Sequence, residues 1–312
     1  MKQLIIKYGS FFSYAGIATF ALLLLNNGIV FGQTDEKTTS RADTSAGKAG
    51  VKKTPVKNTF ESILLIDNQT VMVPTKGTLE WDIQHRFGTV NNGYQDFYGI
   101  FAPALIRLGF EYVPAKDLQI GFGLCSERLQ LDLNVKYAIV KQMKEGMPVS
   151  ITYFGNIVID TRRGSNFVNG GDRLSYYDQL MVARKFCPKF SAQASLSLSH
   201  FNNVPGYYDA NGVIRNTVKN DQFTFSLLGR YKVSNQMAVL VNYDQPLTQN
   251  PTNNPHPNVA VGLEIATSSH CFQIIVGNCQ HILPQNNALY NQNDYTKGQY
   301  LLGFNMTKLW NL

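Results

Sequence analysis

The amino-acid sequence predicts an all-β fold: a transmembrane, antiparallel, up-and-down β-barrel of about 12 strands. Three observations predict it: segments in which apolar and polar residues alternate, aromatic residues at the ends of those segments, and connections of alternating length. Between Leu129 and Ile139, for example, every odd position is apolar and all but one of the even positions are polar. A period of two places the two sets on opposite faces of a sheet, so that one face suits lipid and the other suits water.

The first 32 residues have the pattern of a secretory signal peptide. Two lysines precede the apolar stretch Phe11–Leu25, and the small residues Val30 and Gly32 stand where a signal peptidase cleaves before Gln33. The apolar stretch is shorter than the roughly 20 residues that a membrane helix needs, so cleavage is favoured over an uncleaved anchor.

Two segments precede the predicted barrel. Residues 33–58 are rich in Thr, Ser, Ala, Gly and Lys and are expected to form a disordered periplasmic tail. Residues 59–78 contain two short apolar pieces around an Asp-Asn-Gln sequence. Because these pieces are too short to cross a membrane, Phe60–Val73 forms either a small periplasmic hairpin or a plug drawn into the barrel. The barrel itself is predicted to cover residues 79–312.

Twelve segments carry the alternation that is typical of barrel strands. Most approach the length of about 9 to 11 residues that a tilted strand needs to cross a bilayer. An even number of strands lets the barrel close with both ends of the chain on one side of the membrane. The predicted strands are Leu79–Phe87, Ile106–Val113, Leu118–Cys125, Leu129–Val140, Val149–Asp160, Leu174–Lys185, Phe190–Phe201, Asp221–Val233, Met237–Asp244, Val259–Ala266, Cys271–Cys279 and Gln299–Trp310.

The connections between these strands alternate in length. Short turns follow the second, sixth, eighth and tenth strands, and long loops follow the first, fifth, seventh, ninth and eleventh. Long outer loops and short periplasmic turns are typical of outer-membrane barrels, whereas a soluble β-sandwich has no reason to follow this order. Two connections depart from the pattern, because Ser126–Arg128 is short and Lys141–Pro148 is longer than a tight turn.

The positions of aromatic residues indicate which face of the barrel points outward. A soluble barrel would turn its apolar face inward, and aromatic residues near its turns would be ordinary core residues. Here aromatic residues in phase with the apolar face lie at both strand ends, as is typical of the two interfaces of a bilayer. The outer girdle is predicted to contain Phe87, Tyr176, Phe223, Tyr243 and Tyr300, and the periplasmic girdle Tyr112, Tyr137, Phe190, Tyr231 and Trp310.

Several stretches of the sequence resemble a known family. Phe60–Gly88 (FESILLIDNQTVMVPTKGTLEWDIQHRFG) resembles the N-terminal signature of an uncharacterised family of outer-membrane β-barrel proteins of Gram-negative bacteria. The likeness continues through Arg107–Tyr112 and Asp221–Tyr231, and its most specific pieces are IDNQT and DIQHRFG. The resemblance implies an outer-membrane barrel and carries over no catalytic residue. The sequence departs from barrel proteins generally in its last residue, which is Leu rather than an aromatic residue.

The face predicted to line the lumen carries charges of both signs. This composition fits either a wet passage or a closed network of salt bridges that fills a narrow barrel. The predicted lumen-lining residues are Glu80, Asp82, Arg86, Arg107, Glu111, Asp132, Lys136, Asp160, Arg230 and Glu264.

Glycines occupy the same face on the strands that flank the first strand once the barrel closes. We favour the interpretation that they permit tight curvature of the sheet. The alternative is that they hollow out one wall for a ligand or for an inserted segment. This glycine wall consists of Gly109, Gly121, Gly123, Gly262, Gly277 and Gly303.

The sequence contains no pattern that predicts catalysis or a metal site. His85 and His200 are in phase with lipid-facing residues, and His256 lies in a loop with no carboxylate near it in sequence. Cys271 and Cys279 are assigned to one strand, eight residues apart. At about 3.3 Å per residue this separation is too long for a disulfide or a shared metal ion. We therefore expect no catalytic residue, no cofactor, no metal site and mostly unpaired thiols.

The net charge of +7 does not indicate a nucleic-acid partner, because a net five of these charges lie in the predicted signal peptide and tail. The expected partners are the lipid bilayer, the outer-membrane assembly machinery and a small solute. The main hypothesis is a passive outer-membrane channel or small-solute transporter. The alternative is a non-conducting barrel that acts as a structural or surface-binding element through its outer loops, and an interfacial hydrolase is the least favoured hypothesis.

Overall fold

The computed structural model describes residues 54–312 of the chain. The predicted signal peptide and residues 33–53 of the predicted tail lie outside the described residues. The strands are β1 (Leu64–Leu65), β2 (Asn68–Gln69), β3 (Thr78–Thr89), β4 (Leu105–Ala115), β5 (Leu118–Cys125), β6 (Gln130–Val140), β7 (Ser150–Asp160), β8 (Leu174–Lys185), β9 (Phe190–Phe201), β10 (Gly206–Tyr208), β11 (Ile214–Asn216), β12 (Asp221–Lys232), β13 (Met237–Pro246), β14 (Asn258–Ala266), β15 (His270–Gly277) and β16 (Leu301–Asn311), and helix α1 is Pro284–Tyr290.

Twelve of these strands form a closed antiparallel barrel in which each strand pairs with its neighbours in chain order. The last strand, β16, pairs with β3, and β9 pairs with β12, with the small hairpin β10–β11 in the connection between them. Each predicted strand is present, and its ends differ from the predicted ends by at most two residues. The prediction of an all-β, up-and-down barrel of about 12 strands is confirmed.

The two faces of the barrel have the opposite polarity to those of a soluble protein. In β4, the outward-facing Leu108 and Phe110 are each 38% exposed, whereas the inward-facing Arg107 and Glu111 are 5% and 3% exposed. The same alternation runs along the other strands. Because apolar surface is costly to leave in water, the outer face fits lipid while the interior holds polar groups.

The aromatic residues predicted for the two girdles lie on the outer surface. Seven of the ten are exposed and three are half-buried in the protein alone. Tyr300 lies one residue before β16, and the others lie within the strands. Their amphipathic rings are therefore placed at the two ends of the lipid-facing band, where such rings are favoured.

The connections are long at one end of the barrel, the loop end, and mostly short at the other, the turn end. The loop end holds residues 90–104, 161–173, 202–220, 247–257 and 278–300, with 126–129 as a short exception. The turn end holds residues 116–117, 141–149, 186–189, 233–236 and 267–269. Both ends of the barrel sequence lie at the turn end, since Thr78 pairs with Asn311.

Two details differ from the sequence-based expectations. The last residues of the predicted disordered tail, 54–58, contact the turn 141–149, where Val56 donates its N–H to the Gln142 carbonyl at 2.8 Å. The eleventh barrel strand ends at Gly277, so Cys279 lies beyond it. The pairing stops there because the side chain of Asn278, not a backbone carbonyl, accepts the Val259 N–H at 2.7 Å. All four cysteines are free, and all four lie in the part of the chain that the structure describes.

Candidate functional site: the lumen and the segment inside it

The barrel encloses a segment of its own chain, Phe60–Val73, here named the inner segment. Its strands β1 and β2 form a hairpin with Ile66 and Asp67 at the turn. Phe60, Leu65 and Ile66 are at most 1% exposed and belong to one apolar cluster with inward-facing residues of the barrel strands. The inner segment therefore lies inside the barrel and not beside its mouth.

Side chains of the barrel wall satisfy the backbone of this hairpin. Gln273 accepts the Ile66 N–H at 3.0 Å and donates to the Leu64 carbonyl at 2.9 Å. On the other arm of the hairpin, Gln193 accepts the Val71 N–H at 2.9 Å and donates to the Gln69 carbonyl at 2.8 Å. An unpaired buried backbone group costs about 1–3 kcal/mol, so these two amides remove a large penalty from the interior position.

A buried ion pair joins the hairpin turn to the wall. Asp67 Oδ1 accepts hydrogen bonds from Arg86 Nη2 at 2.7 Å and from Arg86 Nε at 3.1 Å. Arg86 is 0% exposed, and its Nη1 also donates to Asn305 at 2.9 Å. The pair, here named the latch, connects IDNQT with DIQHRFG, the two most specific pieces of the family resemblance.

Amides and a second carboxylate hold the hairpin turn on the side of β13 and β14. Asn68 Nδ2 donates to Asn242 at 2.9 Å and to Asp244 at 2.7 Å. Asn258 Nδ2 lies 2.9 Å from both Asp67 Oδ2 and Asp244 Oδ2. The turn of the inner segment is thus bound by polar contacts on two sides of the lumen.

Four of the predicted lumen-lining residues meet in one charged cluster. Arg107 donates to both oxygens of Asp132 at 2.9 Å, and to Asp82 at 3.0 Å. Its Nη2 also lies 3.5 Å from Glu111. All four side chains are buried on the wall formed by β3 to β6.

Two further lumen-lining cations reach the inner segment. Lys136 Nζ donates to the Ile63 carbonyl at 3.3 Å. Arg230 donates to Glu264 at 2.7 Å and lies 3.7 Å from Glu61 of the inner segment. Positive charge of the wall therefore faces carbonyl and carboxylate oxygens of the segment.

The remaining two predicted lumen-lining residues lie at opposite ends of the lumen. Asp160, at the loop end, is bound by both Nε and Nη2 of Arg162. Glu80, toward the turn end, is 2% exposed and faces a cavity.

Charged side chains occupy the space beside two members of the glycine wall. A Cβ at Gly109 would lie 1.9 Å from Asp82 Oδ2, and one at Gly123 would lie 2.4 Å from Arg107 Nη2. These distances are shorter than any real contact, so a side chain at either position would displace the buried charged cluster. These glycines let the charged side chains lie flat against the wall.

The other four glycines also have close neighbours. A Cβ at Gly303 would lie 2.8 Å from Cδ of the latch arginine, and one at Gly262 would lie 3.5 Å from Ile66 of the inner segment. At Gly121 and Gly277 the nearest atoms, on Glu111 and Ala260, would lie 2.8 and 2.7 Å away. The glycine wall therefore borders filled space and not an open passage.

The loop 278–300, here named the outer cap, folds over the mouth at the loop end. Pro284 begins α1 at a position where its missing N–H costs nothing. Leu289 packs with Phe201 and Val218, and Leu283 packs in a second apolar cluster below the loops. The outer cap thus covers the inner segment from the loop end of the barrel.

An ion pair anchors the outer cap to the rim of the barrel. His281 Nδ1 lies 2.9 Å from Glu127 Oε1, and its Nε2 lies 3.1 Å from the Tyr290 carbonyl. Both partners are acceptors, so a ring nitrogen that carries a proton can donate a hydrogen bond on either side. Burial tends to raise the pKa of Glu127, but the hydrogen bond and charge of His281 outweigh it, so the pKa lies below its ordinary value.

Small cavities lie between the inner segment and the outer cap. Two cavities there measure about 10 and 20 Å³, each comparable to the space that one water needs. A larger cavity of about 250 Å³ lies toward the turn end, between the inner segment and the wall. The inner segment and the outer cap therefore occupy much of the lumen in this conformation.

The neutral side chains that hold the inner segment were not predicted from the sequence. The predicted lumen residues are all charged, whereas many of the groups that bind the inner segment are amides in the same inward phase. Their phase was the signal that could have identified them. They include Gln179, Gln193, Gln273, Asn242, Asn258 and Asn305.

Of the three histidines that the sequence singled out, His85 and His200 lie away from these amides, whereas His256 lines a small cavity beside Asp67 and Asn258. The ring of His85 stacks on Phe304 on the outer surface, with centroids 5.1 Å apart. His200 Nδ1 lies 2.6 Å from Asp221 near the loop end, and the backbone N–H of His256 donates to another loop residue. Within residues 54–312, no three His, Cys, Asp or Glu side chains are grouped to hold a metal ion. Over the same range, no helix is long and apolar enough to span a membrane.

An outward apolar band, aromatic strand ends and a polar interior define a membrane-bound β-barrel, here with part of its own chain inside the lumen. The chain belongs to the family described as Membrane bound beta barrel domain (DUF5777), whose model matches residues 60–310. The matched range includes the inner segment as well as the barrel. The predicted resemblance to an uncharacterised barrel family is confirmed.

Several solved structures are similar to this chain. An outer membrane channel from Pseudomonas putida F1 shares 12% identity with a TM-score of 0.48, over 77% of this chain and 97% of that chain. The NanC porin shares 9% identity with a TM-score of 0.45, over 74% and 99%. The Pseudomonas putida toluene transporter TodX shares 8% identity with a TM-score of 0.39, over 78% and 91%. No curated protein sequence matches the chain. At these identities and TM-scores the likeness carries no argument about the function of this chain.

Proposed function

We propose that this protein is an outer-membrane channel for small hydrophilic solutes, and that the inner segment closes it in the conformation described above. The observation that carries the proposal is the way in which the hairpin turn is held. Its partners are amide, carboxylate and guanidinium groups, such as Gln273 and Arg86, that line the barrel. Water can replace such partners when the turn leaves, since a buried hydrogen bond is worth only about 0.5–1.5 kcal/mol net.

Backbone strain at the hairpin turn supports a movable segment. Ile66 has a φ of 56°, in the left-handed region. A β-branched side chain is disfavoured there, at a cost of about 1–2 kcal/mol. Strain of this kind is released when the turn unfolds, so it favours the open arrangement. The apolar cluster around Phe60 and Leu65 opposes opening, and the closed state is therefore the major one.

The wall that remains after the inner segment leaves is mostly polar, with an apolar patch that includes Met181, Leu228 and Leu240 where the segment packs. One part, on β9, presents neutral groups: Ser191, Gln193, Ser195, Ser197 and Ser199. The opposite part, on β3 to β6, presents the charged cluster around Arg107. Barrels of about 12 strands fall between those filled by side chains and those with wide aqueous channels. This combination suits small, hydrophilic solutes.

Replacement of residues 60–73 by a Gly-Ser linker of equal length tests the proposal. We expect the variant to show stepwise currents in planar bilayers at a much higher open probability than the wild type. The matched control is the same replacement in the outer hairpin Gly206–Asn216, which is exposed and outside the lumen. Heat-modifiable mobility in gels reports folding of each variant. A folded inner-segment variant that stays silent over a range of voltages would contradict the channel.

In the proposed orientation, the long loops lie outside the cell and the short turns lie in the periplasm. The chain reaches this position after export through a cleaved signal peptide and insertion by the outer-membrane assembly machinery. Epitope tags in residues 202–220 or 278–300 are then expected to be detected on intact cells. A tag in the turn Ser234–Gln236 is expected to be detected only after permeabilisation. The reverse pattern would contradict this orientation.

A non-conducting, surface-binding barrel is the second candidate, and one observation favours it. The loop 90–104 carries a cluster of aromatic rings, in which Tyr94 and Phe97 lie 6.3 Å apart and Phe97 and Phe101 lie 5.8 Å apart. Tyr94 and Phe101 are 82% and 78% exposed. Such a cluster is a candidate binding surface at the loop end. It becomes the preferred function if the inner-segment variant is folded and silent.

A further inference from the structure

The cavity at the turn end is built partly from the inner segment and partly from the barrel wall. It measures about 250 Å³. The inner segment contributes Phe60, Ile63 and Met72, and the wall contributes Glu80 and Thr307 together with the turn between β14 and β15. Anything bound here touches both the segment and the barrel.

Glu80 is the distinctive residue of this cavity. It is 2% exposed, and within residues 54–312 no hydrogen bond joins its carboxylate to another residue, although Lys136 and Asp82 act on it electrostatically. Lys136 is the cation that acts on Glu80, but its ammonium donates to the carbonyls of Ile63 and Met72 at 3.3 and 3.5 Å and also faces Glu111 and Asp82. Glu61, which also lines the cavity, lies 3.7 Å from Arg230. A buried carboxylate that shares one lysine with two other carboxylates is incompletely compensated, so the cavity favours a ligand that supplies a positive charge.

The rest of the lining determines what kind of cation fits. Phe60, Ile63, Met72 and Leu309 form apolar surface, and Thr307 adds a hydroxyl. The volume lies just below the usual range for ligand pockets, so only a small ligand fits. We propose that this cavity binds a small organic cation, a primary ammonium group on a short apolar chain, with the ammonium at Glu80 and the chain against Phe60 and Met72.

The inference rests on the proposed function in one respect, the consequence for gating. A ligand that contacts both the inner segment and the wall binds the closed arrangement better than an open one, in which half of its site is gone. By linkage, it must then stabilise the closed state. The cavity is thus a site through which a small cation lowers the open probability of the channel.

Binding can be measured without any assay of transport. In protein with ¹³C-labelled methionine methyl groups, the Met72 signal is assigned through Met72→Leu, and butylammonium is titrated. We expect a saturable shift of that signal, with affinity weakened about tenfold or more by Glu80→Gln, as the loss of one charged hydrogen bond implies. The matched control, Glu145→Gln, changes an exposed carboxylate in a turn at the same end of the barrel and is expected to leave the affinity unchanged.

Comparing butylammonium with butanol distinguishes a cation site from a purely apolar one. Butanol, which has the same chain without the charge, is expected to bind much more weakly than butylammonium. Equal binding of the two, or equal binding of butylammonium to the wild type and Glu80→Gln, would overturn the cation site, as would the absence of any Met72 shift. Conductance is recorded separately, so a folded, silent protein that still binds butylammonium would refute the channel and leave the site intact.

Discussion

Replacing Asp67 with alanine removes the acidic half of the latch and leaves Arg86 buried inside the closed barrel. Breaking a buried ion pair in this way costs about 3–5 kcal/mol, because the remaining charge is desolvated without its counter-ion. Arg86 retains the Asn305 amide oxygen at 2.9 Å and the Ile66 carbonyl at 3.1 Å as acceptors, so the lower end of that range applies. We expect the closed state to lose about 3 kcal/mol relative to the open state.

That loss translates into a measurable change in gating. At about 1.4 kcal/mol for each factor of ten, the ratio of open to closed channels rises by about a hundredfold. Single-channel recording in planar bilayers gives this ratio directly, as the open probability. The rate at which a protease cleaves the inner segment reports the same ratio independently. Both measurements are expected to rise together in Asp67→Ala.

Two comparison variants isolate the latch. Adding Arg86→Met to Asp67→Ala removes the unpaired charge. We expect the double variant to regain much of the stability of the closed state, because replacing a whole buried ion pair with apolar side chains is often neutral. Asp209→Ala breaks an exposed ion pair with Arg215 in the outer hairpin and is expected to leave gating unchanged. A folded Asp67→Ala protein with wild-type open probability and a protected inner segment would refute this account of the latch.

Three further predictions follow from the wall, the cap and the thiols. Gly109→Ala places a Cβ 1.9 Å from a buried carboxylate oxygen and is expected to destabilise the barrel by about 1–3 kcal/mol in urea titrations, whereas Gly229→Ala, with its nearest neighbour at 3.9 Å, is expected to have little effect. Because the folded pKa of Glu127 lies below the ordinary value of 4.5, its ion pair with His281 stabilises the cap above that pH and is lost as pH falls through the folded pKa. The difference in melting temperature between the wild type and Glu127→Gln is therefore expected to disappear in acid, and an undiminished difference would contradict the assignment. Cys187 alone is exposed, so maleimide is expected to label it and no other thiol in the folded protein, with no disulfide found by mass spectrometry.

The barrel was predictable because its pattern is local. Along each strand, lipid on one side and polar groups on the other impose a period of two, so positions such as Leu108 and Arg107 indicate their faces from the sequence alone. The strand ends were predictable within two residues because turns and loops interrupt the period. The ten charged residues chosen from this phase are all buried in the structure, but the phase did not identify their partners.

The inner segment was not predictable in the same way. Its partners are far away in sequence, such as Asn305, which lies 239 residues from Ile66. Nothing local in Phe60–Val73 distinguishes a hairpin outside the barrel from one inside it. Gly109 was interpreted from the sequence as a residue that permits tight curvature of the sheet. In the structure, charged side chains of Asp82 and Arg107 lie close against its Cα position. Helix α1 was missed because seven residues are too few to show a helical period.

A reversible cross-link tests most directly whether movement of the inner segment opens the barrel. A Cβ at Gly262 would lie 3.5 Å from Ile66 Cγ1, so Ile66→Cys with Gly262→Cys is placed to form a disulfide, in a protein that lacks its natural cysteines and carries Asp67→Ala. With the cross-link verified by mass spectrometry, we predict that the oxidised protein is silent in a planar bilayer and that stepwise currents appear when a reductant is added. Equal currents before and after reduction would contradict the claim that the inner segment gates this barrel.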